Sequence, residues 1–197
     1  MGTKVTAQLT PASDTTPAVA DVPAKELSGR PWVNMFPGSA LLSDLLPSFR
    51  QQVEAFIAAI NNAGGHVAVA ATYRPRERAY LMHYCTKIVR REIQASQVPS
   101  MPGVNIEWVH DTEQASRLAA SAMMQAYGIV YPPALVSRHT ERAAIDMTIT
   151  GVLGKVIETA SGVGVEIKST SDLHRVGGSY GVHKLVSDMP HWSDDGR

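Results

Sequence analysis

The chain has almost no cysteine, no excess of charge of either sign and no long hydrophobic run. Its one cysteine, Cys85, excludes an internal disulfide and any metal site built from cysteine clusters. The 18 basic and 18 acidic residues cancel, which provides neither a broad basic surface for nucleic acid nor an acidic tail. No apolar run reaches the length of a signal-peptide core or a membrane span. We therefore expect no nucleic-acid partner, no membrane insertion, and synthesis in the cytoplasm without an encoded export route.

What is present is the composition of an ordinary soluble globular protein. The 197 residues are 44% hydrophobic and 18% charged, enough for one domain with its own core. Residues 1–30 are rich in Thr, Ala, Pro, Ser and Asp and have few large apolar side chains, so they cannot bury enough surface to offset their ordering entropy. We predict a flexible N-terminal arm or linker over residues 1–30 and one folded domain over residues 31–197. An irregular strap packed on the domain is the alternative for the arm.

Apolar spacing and turn residues predict three helices before any cluster of strands. The first begins at Pro47 and ends at a glycine pair, residues 64–65. Asp111, with Gln114 three residues later, resembles a capping box that starts the third. We place the three helices at about residues 47–63, 75–94 and 111–127, with a strand-like run at 66–73 between the first two.

Strand patterns dominate the last third of the chain. Three strands are predicted, at residues 144–150, 152–157 and 163–167. Ser171 or Asp172 could cap a short helix that stops at the glycine pair 177–178. Because helices come first and strands cluster later, the predicted fold class is α+β, with a small antiparallel sheet and packed helices.

Two short stretches carry metal-ligating and acid–base side chains. Residues 137–146 place His139 and Asp146 seven positions apart, and residues 188–192 add Asp188 and His191. A catalytic zinc site needs three ligands, an open position and a base. On one helix His139 and Asp146 would be about 10 Å apart along the axis, and on one straight strand they would face opposite sides. The chain must therefore bend between them if they share a metal, and spacing alone permits the pair without proving it.

Asp188 lies three residues before His191 and could sit near the metal without binding it. A carboxylate so placed can take a proton from the attacking water and pass it to the leaving amine. Taken singly, each residue has a plainer interpretation as a cap, a solvated strand end or a core histidine. Five histidines are assigned to that ordinary class, and Cys85 to a buried apolar thiol: His66, His83, His110, His174 and His183.

The order of these stretches resembles the signature of the D-Ala-D-Ala type zinc peptidases. That group includes D-Ala-D-Ala carboxypeptidases and dipeptidases, L-Ala-D-Glu endopeptidases of phage lysins, and the related Hedgehog domain. The family pattern Ser-x-His-x-x-Gly-x-Ala-x-Asp is matched by Ser137, His139, Ala144 and Asp146, with Asp188-x-x-His191 later in the chain. Arg142 stands where the family has a glycine, which can supply a positive φ.

A further stretch, residues 71–74, is similar to the Gly-Tyr-Arg segment of the family. It reads Ala-Thr-Tyr-Arg, and its Arg74 corresponds to the arginine that faces the scissile carbonyl. Relatives often carry a glutamine in the helix that follows, where this chain has Arg78 and Ala79. The resemblance covers about residues 40–197 in consistent order.

The resemblance implies a Hedgehog-like zinc peptidase domain with one zinc ion per chain, bound by His139, Asp146 and His191. Asp188 would be the general base and acid, and Arg74 would polarise the carbonyl and stabilise the oxyanion. Three other residues would contact the substrate or support the ligands: Ser137, Tyr73 and Arg78.

The leading hypothesis is a zinc peptidase acting on peptidoglycan stem peptides. It would be a phage endolysin released through a holin, or a secreted antibacterial effector with a delivery or immunity partner, and would act on the cell wall in the periplasm. Whether it is an L-Ala-D-Glu endopeptidase or a D,D/L,D-carboxypeptidase stays open. The main alternative is a non-catalytic, zinc-containing Hedgehog-like binding domain, which would have no need of both Asp188 and Arg74. A third is an interaction domain without a metal.

Overall fold

The computed structural model describes residues 24–130 and 133–197. Within them the helices are α1 (Pro47–Asn62), α2 (Arg76–Val89), α3 (Glu113–Ala126) and α4 (Thr170–Ser179). The strands are β1 (Glu26–Leu27), β2 (His66–Ala71), β3 (Ile106–Glu107), β4 (Ala144–Thr150), β5 (Val156–Glu158), β6 (Gly164–Glu166), β7 (His183–Lys184) and β8 (His191–Ser193). The predicted α+β class with small antiparallel sheets is confirmed.

The main sheet has four antiparallel strands in the order β2-β4-β8-β7. Two further pairs, β1 with β3 and β5 with β6, lie outside it. Ile145 and Met147 of β4 are buried in one hydrophobic cluster with Phe56 of α1 and Trp192 of β8. Asp146, between them, points to the other face, because successive side chains of a strand alternate. One face of the sheet therefore carries the core and the other is free for polar chemistry.

A second hydrophobic cluster forms between α2 and α3. It contains Trp108, whose indole N–H donates to the Tyr80 hydroxyl at 3.1 Å, and Met123 of α3, which is fully buried. Cys85 belongs to this cluster, and burial raises the pKa of its thiol to about 12. The thiol therefore stays protonated at neutral pH, as expected for a small buried apolar group.

Helix ends differ from the predicted ones by a few residues. The N-cap of α3 is Thr112, whose hydroxyl accepts from the Ala115 N–H, so the prediction of Asp111 was wrong. The N-cap of α4 is Ser169, paired with Asp172 in a capping box. Ser, Thr and Asp are all favoured N-cap residues, so composition alone cannot say which neighbour leaves helical geometry. The second helix ends at Val89, earlier than predicted.

The predicted arm is only partly described. Residues 1–23 lie outside the described residues. In residues 24–30, β1 pairs with β3, and the Leu27 carbonyl accepts from the Trp32 indole at 3.1 Å. Ser28 and His110 are joined by a hydrogen bond of 2.9 Å, which gives that histidine a structural role. This part of the chain is therefore packed on the domain.

No helix in the described residues is both long enough and apolar enough to cross a membrane.

The glycine pair predicted to stop the last helix lies inside α4, and its members differ in their surroundings. A Cβ on Gly177 would lie 2.6 Å from the Trp192 ring and 2.8 Å from the Val182 carbonyl oxygen. A Cβ on Gly178 would meet nothing closer than the His183 ring at 3.6 Å. Gly177 is therefore required for the close approach of α4 to the sheet.

The two glycines make a matched pair of substitutions. Gly177→Ala should lower the free energy of unfolding by about 1–3 kcal/mol because the methyl group overpacks against backbone and a buried ring. Gly178→Ala should raise it by up to about 1 kcal/mol through helix propensity. Denaturant unfolding of both variants is the measurement, and equal effects would contradict the assigned contacts.

Candidate metal centre

His139, Asp146 and His191 converge at one point on the polar face of the main sheet. His139 Nε2 lies 3.1 Å from Asp146 Oδ1 and 3.1 Å from His191 Nδ1, and His191 Nδ1 lies 3.2 Å from Asp146 Oδ1. Both histidines are buried. In the described part of the chain this is the group of His, Cys, Asp and Glu side chains whose donor atoms could hold a metal ion.

Sheet register places two of the three side chains next to each other. Asp146 of β4 is directly paired with His191 of β8. Residues directly opposite each other in an antiparallel pair share a face, so the carboxylate and the imidazole project side by side. Trp192, the next residue of β8, points to the opposite face and is buried in the core. The core therefore fixes the rotation of both strands and with it the direction of both ligands.

A tight turn before β4 brings His139 back over Asp146. The bend that shared ligation requires is present: the Arg142 N–H donates to the His139 carbonyl and the Ala143 N–H donates to the Arg138 carbonyl. Arg142 has φ +61°, the left-handed conformation that the glycine of the resembled family could supply. Its guanidinium lies 4.4 Å from the centre of the Tyr73 ring. A non-glycine residue therefore supplies the positive φ here, at a cost that its side-chain stacking can offset.

Backbone carbonyls orient both imidazoles. His139 Nδ1 lies 3.0 Å from the Thr72 carbonyl oxygen, and His191 Nε2 lies 3.0 Å from the Arg197 carbonyl oxygen. In each ring the nitrogen that faces a carbonyl is assigned as the N–H donor. If a metal ion takes the place of the proton shared with Asp146, His139 Nε2 and His191 Nδ1 can direct their lone pairs at it. This is the arrangement that metal-bound histidines normally have.

The spacing of the three donor atoms fits a small divalent metal. An ideal tetrahedron with ligand atoms about 2.05 Å from its centre has edges of about 3.3 Å. The three observed separations are 3.1, 3.1 and 3.2 Å, so little movement is needed to meet that geometry. Two imidazoles and one carboxylate also match the ligand types of catalytic zinc sites with an open position.

The electrostatics of the group favour an ionised carboxylate. Burial raises the pKa of the Asp146 carboxyl, but hydrogen bonds from His139 and His191 outweigh it and lower that pKa well below its usual range. Burial lowers the pKa of His191, whereas the hydrogen bonds to Asp146 and to the Arg197 carbonyl raise it, and the net shift is upward. A metal cation that replaced the proton between these groups would be stabilised by the same negative charge of the Asp146 carboxylate.

Arg138 joins the turn that carries His139 to the segment that follows β8. Its Nε donates to the Asp194 carboxylate at 2.8 Å and lies 3.4 Å from Asp195, and its terminal nitrogens contact Asp194 and Glu141. These hydrogen bonds, with that of Asp194 the largest contribution, raise the pKa of the Arg138 guanidinium. Arg138 therefore links the segment that contains His139 to the segment that follows His191.

The His139–Asp146–His191 donor group opens into a cleft of about 820 Å³. That volume lies within the range of about 300–1,000 Å³ that small-molecule and peptide ligands occupy. The cleft combines the polar sheet face with a largely apolar wall that comes from α2 and the segment after α3: Met82, Ile129, Val130, Pro133, Ala134 and Val136.

Arg74 and Asp188 also line this cleft. Burial lowers the pKa of the Arg74 guanidinium, which the charges of Asp146 and Asp188 partly offset. Among the described residues Arg74 has no ion pair within 4.0 Å, although the charges of Asp146 and Asp188 act on it. Asp188 is exposed, and its carboxylate lies outside the three-residue donor group. Both residues line the same cleft as the donor group, and their catalytic roles stay predictions.

The three residues expected to contact substrate or support the ligands have different positions. Ser137 lines the cleft, and its hydroxyl oxygen is buried without a hydrogen-bond partner among the described residues. Tyr73 packs under the Arg142 guanidinium and is not among the cleft residues. Arg78 is also outside the cleft: it donates to the Val33 carbonyl at 3.0 Å and stacks 4.7 Å from the Tyr127 ring centre. Arg78 thus holds a neighbouring segment in place.

The remaining histidines have structural partners or open surroundings. His83 Nδ1 lies 2.9 Å from the Pro133 carbonyl oxygen, and the His174 ring packs edge-on against Trp192. His66 and His183 are exposed strand residues. The contributions of Thr72 and Arg197 could not be predicted from the sequence, because any residue type provides a backbone carbonyl. Arg138 had one available signal, its place inside the Ser-x-His motif.

No protein-family model matches this chain, and no curated protein matches it.

Proposed function

We propose that the chain is a zinc-dependent peptidase that cleaves peptides of the peptidoglycan stem. The observation that carries the proposal is the presence, in one cleft, of a His–Asp–His donor group with Asp188 and Arg74 beside it. A site that only bound metal would need neither an exposed carboxylate nor a guanidinium that forms no ion pair with the described residues. The choice of peptidoglycan, and of a Hedgehog-like zinc peptidase fold, rests on the resemblance of the motifs.

Each residue has a defined task in this proposal. His139, Asp146 and His191 would hold the metal, which when bound supplies Lewis-acid activation of water and carbonyl. The Asp188 carboxylate accepts the proton of the attacking water and returns it to the leaving nitrogen. The Arg74 guanidinium donates to the carbonyl oxygen as negative charge develops there. Arg138 and the carbonyls of Thr72 and Arg197 keep the ligands oriented.

The context of the activity is proposed on the same basis. An endolysin released through a holin and an antibacterial effector delivered by a secretion system would both bring such an enzyme to the cell wall in the periplasm. An effector would also have a delivery or immunity partner. The cleaved bond can be that of an L-Ala-D-Glu endopeptidase or a D,D/L,D-carboxypeptidase.

The experiment that tests the proposal is digestion of purified sacculi followed by mass spectrometry of the released fragments. New amino termini within the stem peptide, or release of free D-Ala, are expected and would identify the bond. Sacculi that stay intact with the zinc-loaded protein would contradict the proposal.

Metal analysis separates the proposal from its rivals. About one zinc ion per folded chain is expected. Two histidines with one carboxylate also bind iron(II) in oxygenases. A preference for iron over zinc would therefore favour an iron-dependent oxygenase over the proposed peptidase. Zinc without turnover would favour the Hedgehog-like binding domain, and a folded chain without metal would favour the interaction domain.

A further inference from the structure

The ammonium group of Lys184 lies at the centre of the loop that carries Asp188 and His191. Its Nζ donates to the Leu185 carbonyl at 2.5 Å, to the His191 carbonyl at 3.0 Å, and to the Asp188 carbonyl. The Trp192 ring centre lies 5.7 Å from the same nitrogen. A lysine ammonium has three N–H donors, so these three carbonyls saturate it.

Two other backbone hydrogen bonds anchor the ends of the loop between β7 and β8: the Leu185 N–H donates to the His191 carbonyl at 3.2 Å, and the Met147 N–H donates to the Pro190 carbonyl at 2.9 Å. Val186 and Met189 are 77% and 89% exposed, so these two apolar side chains contribute almost no packing, whereas Leu185 and Pro190 are half-buried at the cleft. The loop backbone forms two successive turns, in which the Asp188 N–H donates to Leu185 and the His191 N–H donates to Asp188, both at 3.1 Å. The three carbonyls converge on the Lys184 ammonium, which offsets the repulsion between their dipoles.

The three carbonyls belong to the start, the middle and the end of the loop. Fixing the Asp188 carbonyl restricts the backbone that presents the Asp188 carboxylate to the cleft. Fixing the His191 carbonyl restricts the residue whose Nδ1 faces Asp146. One cation thus acts on a metal ligand and on the acid–base residue together, although its own side chain is not among the groups lining the cleft.

We infer that Lys184 is a positioning residue that sets the conformation of residues 185–191, and through them the alignment of Asp188 and His191 at the metal centre. Its effect on catalysis rests on the proposed function, whereas its effect on the loop and on metal affinity does not.

Lys184→Met tests the inference, because it keeps an unbranched side chain against Trp192 and removes all three donors. In amide hydrogen exchange of the full chain, exchange at Asp188 and His191 should become at least about tenfold faster, whereas exchange along β2 and β4 should not change. Zinc affinity, measured by chelator competition, should fall about tenfold, the lower end for loss of a group that supports a ligand. Peptide cleavage should lose kcat with little change in KM.

Two further variants complete the design. Lys184→Arg, which keeps a cation with several donors, should lie closer to the wild type than Lys184→Met in zinc affinity and in exchange. Lys168→Met is the matched control, because this exposed lysine pairs with Glu166 at 2.9 Å outside the cleft, and it should change neither quantity.

Three outcomes would overturn the inference. These are unchanged exchange at Asp188 and His191 in Lys184→Met, zinc affinity within about twofold of wild type, or equally faster exchange throughout β2 and β4, which would indicate loss of global stability. A wild-type chain that cleaves no peptide would instead overturn the proposed function, and the exchange and zinc measurements would still decide the role of Lys184.

Discussion

Replacing His191 with alanine should abolish metal binding, from about one zinc ion per chain to less than about a tenth of an ion. The substitution removes one of three donor atoms that lie 3.1 to 3.2 Å apart, and two ligands cannot hold zinc against chelation. The Asp146 carboxylate would also lose a hydrogen bond that stabilises its charge. Peptide cleavage should fall by at least about 10³-fold, because the metal supplies both water activation and carbonyl polarisation.

The control for this prediction is His183→Ala. His183 is an exposed residue of β7 in the same sheet, and it is not part of the donor group. The His183→Ala variant should keep its zinc and its activity. Elemental analysis of both purified variants, with circular dichroism to verify folding, is the measurement. A comparable loss of zinc in both would mean that the wrong histidine has been assigned.

Replacing Asp188 with asparagine should separate metal binding from catalysis. The side chain lies outside the donor group, so the variant should still hold about one zinc ion. Its amide cannot accept the proton of the attacking water, so kcat should fall by about 10² to 10⁴-fold, the usual contribution of general acid–base catalysis. Asparagine keeps the shape and the backbone carbonyl of the residue, and the contact between that carbonyl and Lys184 should persist.

Asp111→Asn is the matched control for this second prediction. Asp111 is exposed and is not among the residues that line the cleft. Release of soluble peptide from sacculi by equal amounts of zinc-loaded wild type, Asp188→Asn and Asp111→Asn is the measurement. Retained digestion by Asp188→Asn would remove the proposed general base, and loss of zinc in that variant would assign Asp188 to the ligands.

Most helices and strands could be predicted because their signals are local. The apolar face of α1, with Phe49, Val53 and Phe56, is visible at helical spacing, and all three residues are buried. The prediction that the glycine pair 177–178 ends the last helix was wrong, because the surroundings of the pair involve residues distant in sequence. Gly177 lies inside α4 where a Cβ would meet the Trp192 ring, and that ring comes from a strand later in the chain. Local pattern does not report such a contact.

The candidate site also has some features that could be predicted from the sequence and others that could not. The turn between His139 and Asp146 could be inferred from their spacing, because neither a helix nor a straight strand lets both share a metal. The positive φ of Arg142 could not, since residue type disfavours it and only the surrounding contacts, including the Tyr73 ring, hold it. Arg78 was predicted to contact the substrate or support the ligands because of its place after the Tyr-Arg segment. Its guanidinium instead contacts the Val33 carbonyl and the Tyr127 ring.

The sequence by itself determined the α+β class, most of the main elements and the candidate side chains for metal binding and acid–base chemistry. Only the tertiary structure decided that Asp146 pairs with His191 in register, that two backbone carbonyls orient the imidazoles, and that Lys184 holds the loop of Asp188. The physical reason is that strand register and carbonyl direction depend on pairing between distant segments, which residue type and local periodicity do not encode.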